Sequence, residues 1–111
     1  NVNKIKAKVI LELANGPVSL DAHKSLTESG TVIIPDILAN AGGVVASYFE
    51  WAQNRAGNVF EEGFLLKRFE DMMLDAFRRV YELRNEFDMR TASYILAIKR
   101  ILKAEKLRGT K

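Results

Sequence analysis

At 111 residues the chain has room for one domain or one piece of a domain, and a chain this short buries only about two-thirds of its unfolded surface. It has no cysteine, which excludes disulfides and thiolate metal sites, and no apolar run approaches the roughly 20 residues that span a bilayer. The net charge of +3 is concentrated at one end, where Lys99, Arg100, Lys103, Lys106, Arg108 and Lys111 with Glu105 make +5 and leave −2 for the rest. Basic side chains in that position suit a helix C-terminus, at roughly 0.3–1 kcal/mol each. No aromatic interleaving accompanies them, so a nucleic-acid surface is not expected. The lack of cysteine fits a reducing, cytoplasmic setting, and the opening Asn1-Val2-Asn3-Lys4 lacks the apolar core of a signal peptide. A start on Asn1 rather than methionine suits a segment of something longer.

In chain order, Val9-Ile10-Leu11 and Val32-Ile33-Ile34 are short, continuous, β-branched-rich runs. Continuous runs suggest strands covered on both faces, as in a parallel sheet. The stretch between them holds one helix, with Ser19 as its cap, Asp21 in its first turn and Gly30 at its end. Leu20, Lys24 and Glu28 fall on one flank, Ala22 and Leu26 on the other. The unit reads as β-α-β with a right-handed crossover. Beyond Pro35, Ile37-Leu38-Ala39 suit one helical turn interrupted by Gly42-Gly43. A helix from about Val44 to Asn54 follows, with Val44, Ser47, Tyr48 and Trp51 on one face, and residues 55–58 make a loop. The next helix carries Leu65, Phe69, Met72, Met73, Ala76 and Val80 at helical spacing and runs to about Phe87. Asp88 then caps a last helix whose apolar face is Ile95, Ile98, Ile101 and Leu102. The expected fold class is therefore α/β, a partial Rossmann-like β-α-β with two parallel strands followed by three mainly antiparallel helices. Such a strand pair has two open edges, which suggests that further sheet belongs beside it.

Few residues offer chemistry. Ala14-Asn15-Gly16-Pro17 follows a strand and precedes a helix, where open α/β sheets bind ligands. It reads either as a plain Asn-Gly turn or as a loop presenting the Asn15 amide to a cofactor. Asn40-Ala41-Gly42-Gly43 follows the second strand, and its glycines permit either positive φ beside a ligand or a kink between helices. Ser47 lies one turn from Val44, where a hydroxyl beside an aliphatic wall suits a short substrate with a polar end. It can equally bond back to the carbonyl four residues earlier. His23 is expected on an exposed helix face, Trp51 and the Phe/Met stripe in the core. The carboxylates show no metal-ligand spacing, and no metal is expected.

Several longer stretches carry a family likeness: K-I-K-A-K at Lys4–Lys8, A-N-G-P at Ala14–Pro17, I-I-P-D-I-L-A-N-A-G-G-V at Ile33–Val44, S-Y-F-E-W at Ser47–Trp51, Q-N-R at Gln53–Arg55 and M-R-T-A-S-Y at Met89–Tyr94. In these the chain resembles, over nearly its whole length, the C-terminal part of the glutamate dehydrogenases of bacterial and archaeal hexameric type. Leucine, valine and phenylalanine dehydrogenases share the N-A-G-G element but not S-Y-F-E-W. The resemblance implies NAD(P)-dependent, reversible oxidative deamination of L-glutamate to 2-oxoglutarate and ammonia in a homohexamer. It implies that Ser47 holds the substrate side-chain carboxylate, that Val44 lines the same pocket, and that Asn15 and Asn40 lie beside the nicotinamide and its ribose. It divides the chain into residues 1–57, from the cofactor-binding domain, and residues 58–111, helices returning towards the substrate domain.

The chain departs from the family by having Leu13 where a glycine commonly precedes A-N-G-P, and His23 in the helix after it. No G-x-G-x-x-G follows either strand, so the pyrophosphate fingerprint is absent from this stretch, and no position matches the family's catalytic lysine or aspartate. No catalytic residue is therefore expected in these 111 residues, and the stretch alone is expected to be inactive. The alternative reading is a non-enzymatic helical interaction module derived from a dehydrogenase, its basic end meeting an acidic partner. A third is a piece that self-associates to cover its strand edges.

Overall fold

A computed structural model of the protein describes residues 1–109. Lys111, counted above in the basic end, lies outside the described residues. After a 3₁₀ turn at Val2–Lys4 come β1 (Val9–Leu11), α1 (Leu20–Glu28), β2 (Val32–Ile34), α2 (Asp36–Ala39), α3 (Ala41–Ala56), α4 (Glu62–Glu82) and α5 (Met89–Arg108). The strands pair in parallel, with Val9, Ile10 and Leu11 opposite Val32, Ile33 and Ile34.

The β-α-β unit forms as the sequence predicts. Ser19 accepts a hydrogen bond from the Ala22 N–H at 3.4 Å. Gly30 takes φ +85° beyond the end of α1, a backbone conformation that costs glycine little. Leu26 is buried while Leu20, on the opposite flank, is open to solvent.

The strands are not covered on both faces. Ile33 is buried, but Val9 and Leu11 are 55% and 54% exposed. The apolar runs do form strands, but the two-sided cover expected of them is not found among the described residues.

Several boundaries differ from expectation. The break between α2 and α3 falls at Asn40 (φ −96°, ψ 0°), and Gly42 and Gly43 lie within the first turn of α3. Neither takes positive φ. A Cβ on Gly42 would stand 2.9 Å from Cζ of Phe69, so the missing side chain there admits the ring of α4, while Gly43 faces open space. Arg55 and Ala56 are helical rather than looped, and α3 ends at Gly57 with φ +63°. The α4 stripe turns Leu65, Phe69, Met73, Ala76 and Val80 inward, with Met72 left exposed, and the helix stops at Glu82, short of Phe87.

The principal core joins Leu38, Val80, Met89 and Ala92, with Ile34, Ala76, Phe77, Leu83 and Leu96 packed on it. It gathers where β2, α2 and the end of α4 all meet the first half of α5. The core side of α5 is therefore Met89, Ala92, Ser93 and Leu96. The expected face fails beyond the half-buried Ile95: Ile98, Ile101 and Leu102 are exposed, because α5 is apolar on more than one side and only its first half packs into the principal core. Trp51, expected in the core, is 58% exposed. It stands beside Tyr48 on the outer side of α3, with the Arg55 guanidinium 5.7 Å from its ring centroid.

Candidate functional site

The loops after β1 and β2 converge. Pro35 ends β2 and caps α2 with extended backbone, so the chain turns immediately after the strand. That turn brings Asn40 across to the loop after β1. The Asn40 side-chain N–H groups donate to the Leu13 carbonyl at 3.2 Å and to Asn15 Oδ1 at 2.6 Å. The Leu13 carbonyl can only accept, which orients the Asn40 amide, and Asn40 in turn orients that of Asn15. Asn40 Oδ1 and Asn15 Nδ2 are left with no hydrogen-bond partner among the described residues. One acceptor and one donor therefore stand side by side at the strand ends.

Asn15 and Asn40 share a concavity of about 650 Å³ with Val44, Tyr48, Met72 and Tyr94. Its walls are mostly apolar, and the donor–acceptor pair complements a carboxamide. That fit makes the site suitable for a nicotinamide. Of the four residues singled out from the sequence, Asn15, Asn40 and Val44 line this space. Ser47 does not: it is exposed on α3, and its hydroxyl donates to the Gly43 carbonyl at 3.0 Å. This is the back-bond to the residue four positions earlier that the sequence allowed as its alternative.

Beneath the concavity is a cluster that sequence reasoning missed. Glu12 is 1% exposed. Its Oε2 accepts from the Asp36 N–H at 2.9 Å and from the Arg90 guanidinium. Arg90 also donates to Asp36 Oδ1 at 2.8 Å. Asp36 further accepts from the N–H groups of Gly16 and Ile37, both at 2.8 Å. The Gly16 N–H, then those of Ile37 and the Arg90 guanidinium, hold the Asp36 carboxyl below the ordinary carboxylate range against the upward pull of burial. Burial would lower Arg90, but Glu12 and Asp36 outweigh it and hold it above its usual value. No local sequence signal joins positions 12, 36 and 90. The one available hint was an acid directly after an apolar strand run.

His23 is not on an open surface. Its side chain is largely covered, and Nε2 lies 3.4 Å from Asp88 Oδ1. Asp88, the cap of α5, stands against it. Among the described residues no group of three His, Cys, Asp or Glu side chains could hold a metal ion, and no helix is long and apolar enough to cross a membrane.

Residues 1–109 match the family model described as Glutamate/Leucine/Phenylalanine/Valine dehydrogenase. The chain is 45% identical over 113 residues to an NADP-specific glutamate dehydrogenase of Saccharolobus shibatae, covering 98% of this chain and 27% of that protein. It is 43% identical over 111 residues to an NAD-specific glutamate dehydrogenase of Staphylococcus aureus, again covering 98% and 27%. The fold is similar to the crystal structure of glutamate dehydrogenase from Peptoniphilus asaccharolyticus, with a TM-score of 0.89 and 41% identity over 99% of this chain and 28% of the other. The chain thus spans about a quarter of the length of the relatives it matches.

Proposed function

The chain belongs to the Glutamate/Leucine/Phenylalanine/Valine dehydrogenase family, and from that premise we propose that it forms the C-terminal quarter of a glutamate dehydrogenase. The whole enzyme would interconvert L-glutamate with 2-oxoglutarate and ammonia using NAD or NADP. The observation that carries this reading is the Asn15–Asn40 amide pair, set at the converging strand ends of a chain whose relatives are named glutamate dehydrogenases. In this reading the division falls after Gly57. Residues 1–57 complete the cofactor-binding domain and residues 58–111 return towards the substrate domain, in a cytoplasmic homohexamer.

A bound nicotinamide would supply the hydride acceptor. The residues here contribute by placement. Asn15 Nδ2 and Asn40 Oδ1 would meet the carboxamide, and Val44 and Tyr48 would give the ring an apolar wall. Holding the reacting atoms at near-attack separation is worth several orders of magnitude in rate. Ser47 lies one turn beyond Val44 and binds the distal carboxylate of glutamate. Binding there would exchange its neutral bond to the Gly43 carbonyl for a stronger charge-assisted one.

In the full-length enzyme, Ser47→Ala is expected to lower kcat/KM for glutamate by about 10- to 100-fold, the loss of one hydrogen bond to a charged group. Aliphatic amino acids should be nearly unaffected, so the preference for glutamate narrows. Steady-state kinetics on glutamate and norvaline check this, and an unchanged ratio removes Ser47 from the site.

A further inference from the structure

The nicotinamide contacts proposed above belong to two separate loops, so something must set the distance between them. Backbone pairing of β1 with β2 ends at the bond from the Glu12 N–H to the Ile34 carbonyl. Beyond that point the loops are joined by side chains, at the amides themselves through Asn40 to Leu13 and Asn15 and, beneath them, through three charged residues. Glu12 accepts the Asp36 N–H, Asp36 accepts the Gly16 N–H, and Arg90 bridges the two carboxylates from the first turn of α5. Gly16 adjoins Asn15, and Asp36 opens the helix that delivers Asn40. Two carboxylates meet one guanidinium in a covered place, a costly arrangement unless geometry is good and the groups serve a purpose.

We propose that Arg90, Glu12 and Asp36 form a positioning cluster that fixes the separation of the Asn15 and Asn40 amides for the nicotinamide carboxamide. The inference rests on the functional reading above and extends it. None of the three need touch the reacting atoms. A guanidinium suits the task because its planar fork reaches both acids at once, while an ammonium is a single point that reaches one. The cluster also ties α5, which arrives from the far end of the chain, directly to the coenzyme loops.

The test uses the full-length enzyme with Arg90→Lys as the principal variant, since removing the charge outright strands a buried Glu12. Arg90→Met is the stronger second variant. Leu26→Ala, a core change away from the cluster, is the control, compared at temperatures giving the same distance below Tm. Arg90→Lys is expected to raise the coenzyme KM by about tenfold, and Arg90→Met by more, on the scale of small misplacements at a reacting site. KM for glutamate should stay within about twofold, because the α3 carboxylate contact is not held by the cluster. Hydrogen exchange should quicken in the peptides covering Gly16 and residues 36–40. Unchanged exchange there, or an equal rise in coenzyme KM with Leu26→Ala, overturns the proposal. If the unaltered enzyme fails to turn over glutamate with NAD or NADP, the functional reading falls instead, and the exchange measurement still decides whether Arg90 governs the two loops.

Discussion

Asp88 shows how much one side chain can organise. Its carboxylate accepts from the Arg90 N–H at 3.0 Å, the Thr91 N–H at 3.2 Å and the Thr91 hydroxyl at 2.5 Å, and so supplies acceptors where the first turn of α5 has none of its own. Burial pulls this carboxyl up, but the hydrogen bonds from Thr91 and Arg90 and the nearby His23 outweigh it and hold it below its ordinary value. Asp36 is likewise lowered. Both therefore bind protons more weakly folded than unfolded. Their contribution is complete above the unfolded carboxylate value of about 3.9 and is lost as pH falls through the lower folded values. Melting temperature should stay flat from neutral pH to about pH 5 and drop below about pH 4, and Asp88→Asn should flatten that acid slope. Asp88→Ala should cost about 1 kcal/mol at neutral pH, the usual loss of a helix cap, measured by denaturant titration.

Among the elements, α3 and α4 show that two adjacent glycines have different jobs. Gly42 is the hollow into which the Phe69 ring fits, whereas a Cβ on Gly43 would meet nothing within 4 Å beyond its own helix. Both sit at helical positions, where alanine is intrinsically better by about 1 kcal/mol. Gly43→Ala should therefore raise stability by about 0.5–1 kcal/mol. Gly42→Ala should lose that gain to displacement of Phe69 and finish below Gly43→Ala by at least about 1 kcal/mol. Thermal melts of the two variants decide it, and equal melting points would mean that the ring moves aside freely. The same packing explains why α3 presents Val44, Tyr48 and Trp51 outward: with Gly42 turned to α4, the opposite side of the helix faces the concavity and solvent.

The molecule as a whole is open. Its radius of gyration is 17.0 Å, against about 13 Å for a compact domain of this length, and its dimensions are 52 × 39 × 21 Å. Helix α4 has 21 residues, about 31 Å of rod at 1.5 Å per residue, and only part of it is covered. Exposed Val9, Leu11 and Leu13 beside an open strand edge make a surface that water penalises. The 111-residue chain purified alone is expected to show no glutamate turnover and to elute from size exclusion well above its 12.5 kDa mass. Turnover by this chain alone, or a stable monomer at high concentration, would contradict that picture.

What the sequence determined by itself was local or motif-borne. The two strands, the caps at Ser19 and Asp88, the helix end at Gly30 and most of the inward stripe of α4 all follow from short-range rules acting within a few residues. The family was legible in A-N-G-P and I-I-P-D-I-L-A-N-A-G-G-V. Only the tertiary structure decided which sides of α3 and α5 face the core, because a helix apolar on several sides gives no single answer until its neighbours are in place. It alone placed His23 beside Asp88 and exposed Trp51. It alone joined Glu12, Asp36 and Arg90, because charges separated by dozens of residues carry no mutual signal along the chain. They become a cluster only when two strand ends and a returning helix meet, and burial then makes their pairing obligatory.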